Sequence, residues 1–447
     1  MRIKSITVGG YKNLEKSKIE FGGIVALLAI NNYGKSNLLE AIDFGMEFIQ
    51  AAPKVRKAMM GHIKSIPLTP SLQESEYFFE VELFEPELKE YCHVKYGFSF
   101  AWYRDDQTGA RITDEWLEAR NSESVRYTGY LKRALSKYRK NKATQSFRSI
   151  PLDTNQLAID LLPLIEDADV AKVASALRSM DYRICSTLEL QSEFQSIPFE
   201  YVTEQSERGV AFDDADIPKA LYKLREKHPD AYRLFEDAVF TLFPEFTKIA
   251  LTSVNAVSPP EIHRVSFVLK DGEISQAEAE GMIPPVRLKE ELYRMMVFSR
   301  YLNQPISIAN MSAGTRRIIW MLANVFIAAC AGINAIGIEE IETSIHPKLL
   351  KSLLEILSDA ARNTCILLSS HSPYLIQYLK AESLYIGVPD ESGAACFRRI
   401  KRTKIKQLVG ISRELDMSVG EYLFDMLTKD RYASTLMQYL EVEPDEE

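Results

Sequence analysis

Polar and apolar positions alternate over residues 2–8 (RIKSITV), the period of a half-buried strand. A second short strand is expected at residues 18–21. Residues 24–30 form an unbroken apolar run, as in a strand buried on both faces. The run ends at Asn31-Asn32. Helical spacing starts near Lys35, with Leu38, Leu39, Ile42 and Phe44 to Phe48 on the apolar face. Residues 77–84 and 94–102 predict two further strands. In the second, Val94, Tyr96, Phe98, Phe100 and Trp102 share one face.

After about residue 105 the pattern changes. Residues 155–245 carry helical spacing with several starts and stops. Asp216 caps a helix with an early proline, Pro218, and that helix should end before Pro229. A mainly helical insertion over 105–245 follows from this. Strands return at 248–254 and 265–269, with a turn signal at Asp271-Gly272. From residue 286 onward helix and strand alternate, which predicts a parallel sheet with covering helices. Residues 318–338 carry no charge and are long enough to span a membrane. Gly332 and Asn334 interrupt them, and Arg316, Arg317, Glu339 and Glu340 bound them. A buried helix turning into a buried strand is therefore expected, and no membrane association.

The fold class expected is α/β: mixed and parallel sheet with covering helices, plus the helical insertion. The expected division is residues 1–104, 105–245, 246–395, and a C-terminal basic strand with helical tail, 396–447. Composition agrees with a folded chain. Of 447 residues, 46% are hydrophobic and 26% charged, which excludes a disordered or low-complexity protein. Lys and Arg total 54 against 62 Asp and Glu, a net charge of −8. Such a chain does not coat nucleic acid or anionic membrane through net charge, and any such contact needs a local basic patch. The five cysteines form no CxxC, so neither a disulfide framework nor a zinc knuckle is indicated. A reducing, cytoplasmic setting suits them, and the first residues lack the apolar core of a signal peptide.

The chemistry concentrates at four places. Residues 29–36 read AINNYGKS, against the phosphate-loop template GxxxxGK[ST]. Gly34, Lys35 and Ser36 fit, while Ala29 stands at the first glycine. A strand ends here and a helix begins, so free backbone amides would face phosphate. Lys35 supplies a point charge for the β- and γ-phosphates, and Ser36 Oγ would hold Mg2+. The second place is the apolar strand ending in Glu339-Glu340. Glu339 is the metal-side candidate and Glu340 the candidate base that orients the attacking water. The third is Ser312 and Gly314 in MSAGT, a second helix-start anion site that suits nucleotide held by another subunit. The fourth is His371 in SHSP, after the strand at 365–369, where it can hydrogen-bond a γ-phosphate.

In this order the four elements resemble the ABC-type ATPases, and more narrowly the SMC/RecF/OLD-like branch. That branch shows GxNGxGKSN, a signature such as LSxGT, DEPE with a downstream HP, and a THSP-like switch. This chain has Asn31, Gly34, Lys35, Ser36 and Asn37; MSAGT; EEIE with His346-Pro347; and SHSP. It departs at Ala29 and Asn32, which replace glycines, and at Glu339, which replaces aspartate. The resemblance implies ATP and Mg2+ as cofactors, with Asn31, Asn32, Gly34, Lys35, Ser36 and Asn37 on the nucleotide. It implies a head-to-tail homodimer or higher homo-oligomer with ATP at the interface, Ser312 and Gly314 facing the other chain's loop. The departures imply slow hydrolysis. Lys12 and Asn13 stand where the branch contacts nucleotide, and Gln73 is the nearest to a glutamine-loop residue.

A compact ATPase with an insert and no fused nuclease resembles the ATPase subunits of two-component anti-phage systems of the Septu, PARIS and retron-associated types. This implies a sensor or scaffold that controls a separate effector, a nuclease or toxin. Two alternatives stay open. One is a RecF/SMC-like DNA repair clamp. It would use Lys132, Arg133, Lys137, Arg139, Lys140, Lys142 and Arg148, or the cluster between Arg398 and Lys406, to meet nucleic acid. The other is an ATP-locked scaffold that does not hydrolyse. Asp213-Asp214-Ala215-Asp216 reads as a solvated loop and helix cap.

Overall fold

A computed structural model describes residues 1–104, 108–133, 136–140, 146–164, 169–185, 194, 199–201, 216–255, 266–270, 273–277, 286–288, 291–361, 364–389, 391–429 and 433–441. The chain divides into two compact units, Met1–Ser186 with Ala328–Glu447, and Thr187–Ile327.

The first unit is built on two sheets. One has six strands in the order Tyr182–Cys185, Ala335–Ile338, Cys365–Ser370, Ile24–Leu28, Leu384–Gly387 and Phe397–Arg399. The first five run parallel, and the last pairs antiparallel. Ala335–Ile338 and Cys365–Ser370 are buried at every position, as an apolar run without alternation requires. The helix Pro347–Ala361 connects these two strands. It buries Leu350, Leu353, Leu354 and Leu357, one apolar stripe at helical spacing.

The other sheet is antiparallel. Its order is Ser17–Glu20, Arg2–Gly9, Tyr77–Phe84, His93–Ala101, Arg111–Arg120, Thr128–Lys132, Lys137–Tyr138 and Arg148–Ser149. Here alternation sets the faces: Tyr77, Phe79, Val81 and Leu83 are buried and their neighbours half-buried.

The helix Lys35–Gln50 lies between the sheets. Phe44 packs edge-on to Tyr77 at 5.1 Å, and Phe48 stacks on Phe98 and Phe100 at 4.9 Å each. Such ring pairs contribute about 0.5–1.5 kcal/mol each beyond area burial. On the opposite side Leu39 reaches Gly337 so closely that a Cβ there would stand 3.2 Å from Leu39 Cδ2. Arg56 closes the helix end. It is fully buried, donating to Phe48 O (Nε, 2.7 Å) and Ile49 O (Nη2, 2.9 Å), and it pairs with Asp160.

The expected helical insertion starts differently. The strands Arg111–Arg120, Thr128–Lys132, Lys137–Tyr138 and Arg148–Ser149 continue the antiparallel sheet instead. A register shift lets Ser99 face Asp114 while Phe100 faces Ile112, so Thr113 is a bulge. Ile112 and Glu115 therefore both point inward at helix-like spacing, with a buried acid where an apolar residue would signal a strand. Glu115 accepts from the amides of Ala158 (2.7 Å) and Ile159 (3.2 Å) and from Tyr96 OH (3.0 Å), which satisfies it.

Of the expected insertion's helices, Val170–Arg178 lies in the first unit and two others lie in the second. Asp216 Oδ1 accepts the Lys219 amide at 3.0 Å and opens Ile217–Lys227; Pro229–Leu242 follows directly. The strands Phe246–Asn255, Glu291–Ser299 and Ile306–Ser307 form an antiparallel sheet. The regular helix–strand alternation expected from residue 286 thus begins only at residue 313. Residues 291–299 have period two, with Tyr293, Met295 and Val297 buried. The helix Ala313–Ala331 turns at Gly332 (φ 77°) into the strand Ala335–Ile338. Among the described residues no helix is long and apolar enough to cross a membrane. Asp213–Ala215 and Asp271-Gly272 lie outside the described residues.

Candidate functional site

Parallel strands present their C-terminal ends on one edge, where ligand crevices form. Ile338 pairs with Leu368, and Ser370 pairs with Leu28. Three loops consequently leave the same edge side by side: the segment 29–34, the acidic segment from Glu339, and His371.

The first loop is held by backbone geometry and by one asparagine. Asn32 (φ 62°) and Gly34 (φ 129°) lie in the left-handed region. A Cβ on Gly34 would stand 3.0 Å from Asn13 Oδ1 and 2.9 Å from Ala395 Cβ, so glycine is required there. Asn13 Nδ2 donates to Tyr33 O (2.9 Å), and Asn37 Nδ2 donates to Asn13 Oδ1 (2.6 Å). The family expectation put Asn13 on the nucleotide, whereas its side-chain amide is engaged by the loop and the first helical turn. Lys12 pairs with Glu40. The Tyr33 ring is buried, and its hydroxyl sits among Val388 O (3.0 Å), Cys396 O (3.2 Å) and the Cys396 amide (3.0 Å).

The helix beginning at Lys35 has no side-chain cap and no acid in its first turn. Its leading amides are thus available to an anion, reinforced by the helix dipole. Lys35 is only 8% exposed. Its ammonium donates to Ala29 O (2.9 Å) and Ile30 O (3.1 Å). Burial pushes its pKa down, while the charges of Glu340 and then Glu342 pull it back up. Ser36, Asn31 and Asn32 are exposed, and Gly34 and Asn37 half-exposed.

The acidic segment is held through its backbone. Glu339 donates its amide to Cys185 O (3.2 Å), and its charge acts on the buried Tyr182 phenol. Glu340 adopts φ 44° and donates its amide to the buried Ser369 Oγ (3.1 Å). A non-glycine residue held there stores of order 1–3 kcal/mol, as switch and catalytic segments do. Thr343 Oγ1 lies 3.4 Å from Glu340 Oε2. His371 Nδ1 is 3.9 Å from Glu340 Oε1 and 3.5 Å from Glu342 Oε1. Glu342 was not among the expected site residues. Its only sequence signal was a third acid in EEIE, at the position where the family pattern DEPE ends.

Ser312 and Gly314 belong to the second unit. Ser312 Oγ accepts the Thr315 amide (3.2 Å) and shares a hydrogen bond with Thr315 Oγ1 (2.8 Å), capping the helix Ala313–Ala331. His346 accepts the Lys348 amide through Nδ1 (3.3 Å), beside the start of Pro347–Ala361. Gln73 is exposed after the short turn Pro70–Leu72. Both basic clusters are partly neutralised. Arg133 lies 3.8 Å from the buried Glu115 carboxylate, and Arg399 pairs with Glu20 and Glu441. Lys142 lies outside the described residues.

A family model described as "AAA domain, putative AbiEii toxin, Type IV TA system" matches residues 30–377. The chain belongs to this AAA-domain family. The match runs from the phosphate loop to beyond His371. Among curated proteins no sequence match is found. Three solved structures are similar to this AAA-domain chain. An SmcHead bound to the C-winged helix domain of ScpA is 13% identical, with 91% of this chain and 100% of that chain covered and a TM-score of 0.49. The SMC head domain from Thermotoga maritima is 10% identical, with 90% and 100% covered and a TM-score of 0.40. An Smc head domain with an extended coiled coil, bound to the C-terminal domain of ScpA derived from Pyrococcus furiosus, is 12% identical, with 92% and 99% covered and a TM-score of 0.45.

Proposed function

We propose that this AAA-domain chain binds and hydrolyses ATP with Mg2+, assembles as a homo-oligomer around the nucleotide, and controls a separate effector, a nuclease or toxin, in anti-phage defence. One observation carries the catalytic part: the buried Lys35 ammonium, held by Ala29 O and Ile30 O, feels the charges of Glu340 and Glu342 where three parallel strands end, and His371 stands beside those acids.

Each residue then has a task. The uncapped amides after Gly34 and the Lys35 ammonium take the phosphates, with Asn31, Asn32 and Asn37 around them. Ser36 Oγ and the Glu339 carboxylate would hold Mg2+, which neutralises phosphate charge when bound. Among the described residues no three His, Cys, Asp or Glu side chains gather closely enough to hold an ion alone. Phosphate oxygens and water would complete its shell, as suits a cation that dehydrates reluctantly. Glu340 orients the attacking water and accepts its proton. His371 hydrogen-bonds the terminal phosphate. Ser312 and Gly314 supply donors to the nucleotide of a second copy. The family description, "putative AbiEii toxin, Type IV TA system", supports a toxin-linked role for the chain.

ATP turnover per chain, measured against protein concentration, tests the reading. It should rise with concentration, vanish in Lys35→Ala and fall at least a hundredfold in Glu340→Gln. Absence of turnover at every concentration with ATP still bound would replace the enzyme by a locked scaffold. In the native host, Lys35→Ala should restore phage plaquing; resistance unchanged by a variant that has lost turnover would remove the defence role.

A further inference from the structure

Glu342 has no task in the mechanism above, yet it is the best-buried of the acids around His371. Its side chain is 12% exposed, against 50% for Glu340. Its Oε1 accepts the backbone amide of His371 at 2.9 Å and lies 3.5 Å from the imidazole Nδ1. Its Oε2 is buried and makes no hydrogen bond among the described residues. An ionised oxygen buried without a donor is costly, on the order of 1–3 kcal/mol or more, so such groups persist where a donor arrives in use.

We propose that Glu342 is a positioning residue for the switch histidine: it holds the His371 backbone now, and takes the imidazole Nδ1–H when nucleotide closes the site. The chemistry of the ring decides the direction. With carboxylate oxygens of Glu340 and Glu342 on its Nδ1 side, that nitrogen has to carry a proton. Nε2 is then the atom left to face the nucleotide, where it donates to phosphate when the ring carries both protons. A hydrogen bond to Nδ1 fixes the ring orientation, the task that supporting carboxylates perform for histidines elsewhere. The 3.5 Å separation is that of a contact which tightens on ligand binding. The same carboxylate acts on Lys35, so one buried acid addresses both cationic partners of the phosphates. Glu340, at φ 44° and half-exposed, is the acid that addresses water.

This inference rests on the ATPase reading, and kinetics separate the two. Turnover and KM for ATP are measured for the full chain and for Glu342→Ala, Glu342→Gln, His371→Ala and the double variant Glu342→Ala/His371→Ala. Glu342→Ala should lower kcat at least tenfold with KM within threefold of wild type. Glu342→Gln, which keeps an acceptor for the His371 amide, should recover part of that loss. In the His371→Ala background, Glu342→Ala should cost less than twofold further, because two residues acting as a unit are not additive. An active wild type with unchanged kcat in Glu342→Ala overturns the positioning role. So does an equal loss in both backgrounds, which would make Glu342 an independent or purely structural group. A wild-type chain without turnover removes the ATPase reading itself, and the inference with it. Should Glu342→Ala not fold, the comparison of Glu342→Gln with and without His371→Ala decides by the same criterion.

Discussion

Asp43 lies on the phosphate-loop helix with its carboxyl mostly out of water. Burial pushes its pKa up to about 7, and the charges of Glu47, Asp181 and Glu40 push in the same direction. The folded chain keeps this proton to about pH 7, while the unfolded chain loses it near 3.8. Stability linked to this group is therefore whole below the lower value and declines as pH rises across that window. Asp43→Asn should gain stability relative to wild type between pH 4.5 and 7.5, read as a growing difference in urea midpoint; a constant difference would count against it. Gly34 is the second residue whose environment dictates identity. Gly34→Ala forces a Cβ against Asn13 and Ala395 at a positive φ. It should lose about 1–3 kcal/mol of stability and at least tenfold in ATP affinity by calorimetry. Of the site residues, Lys35, Glu340 and His371 were legible because their chemistry follows strand ends. Glu342 was not, since nothing in EEIE says which acid turns inward; only the loop with Glu340 at φ 44° decides that. Nor does sequence say that the Asn13 side chain bonds the loop and the first helical turn.

At the scale of elements, the helix Lys35–Gln50 joins the chemistry to the core. Its first turn is open and its last is closed by Arg56, whose guanidinium takes two terminal carbonyls and Asp160. Removing one partner of a buried pair leaves the other stranded, at about 3–5 kcal/mol. Arg56→Ala should show that loss in urea denaturation, and Arg56→Ala/Asp160→Ala should lose less than the sum of the single changes. Continuous apolar runs and clean alternation made the central strands readable, as at Ile24–Leu28 and Tyr77–Phe84. The strand Arg111–Arg120 escaped because its bulge and its inward Glu115 break the period on which such readings depend. Residues 291–307 escaped for another reason: antiparallel strands stand where helix–strand alternation was expected.

For the whole molecule, the proposed assembly makes a physical prediction separate from catalysis. Ser312 and Gly314 belong to one compact unit, Lys35 and Glu340 to the other. If a second copy supplies Ser312, ATP should drive association in a variant that binds without hydrolysing. Sedimentation of Glu340→Gln should shift from monomer to dimer on adding ATP, and Lys35→Ala should stay monomeric. A shift in neither variant would leave turnover, where found, to single chains.

The place of Ile24–Leu28 in its sheet has a consequence for how the chain is made. Both of its neighbours, Cys365–Ser370 and Leu384–Gly387, come from the far end of the sequence, about 340 residues later. At ribosomal speeds of about 5–20 residues per second, the central strand waits roughly 20–70 s for its first partner. Through that interval its unpaired N–H and C=O edges and its apolar side chains stand open, and loop closure over such a distance makes the pairing slow. Birth, rather than equilibrium stability, is then the most exposed moment in the life of this AAA-domain chain.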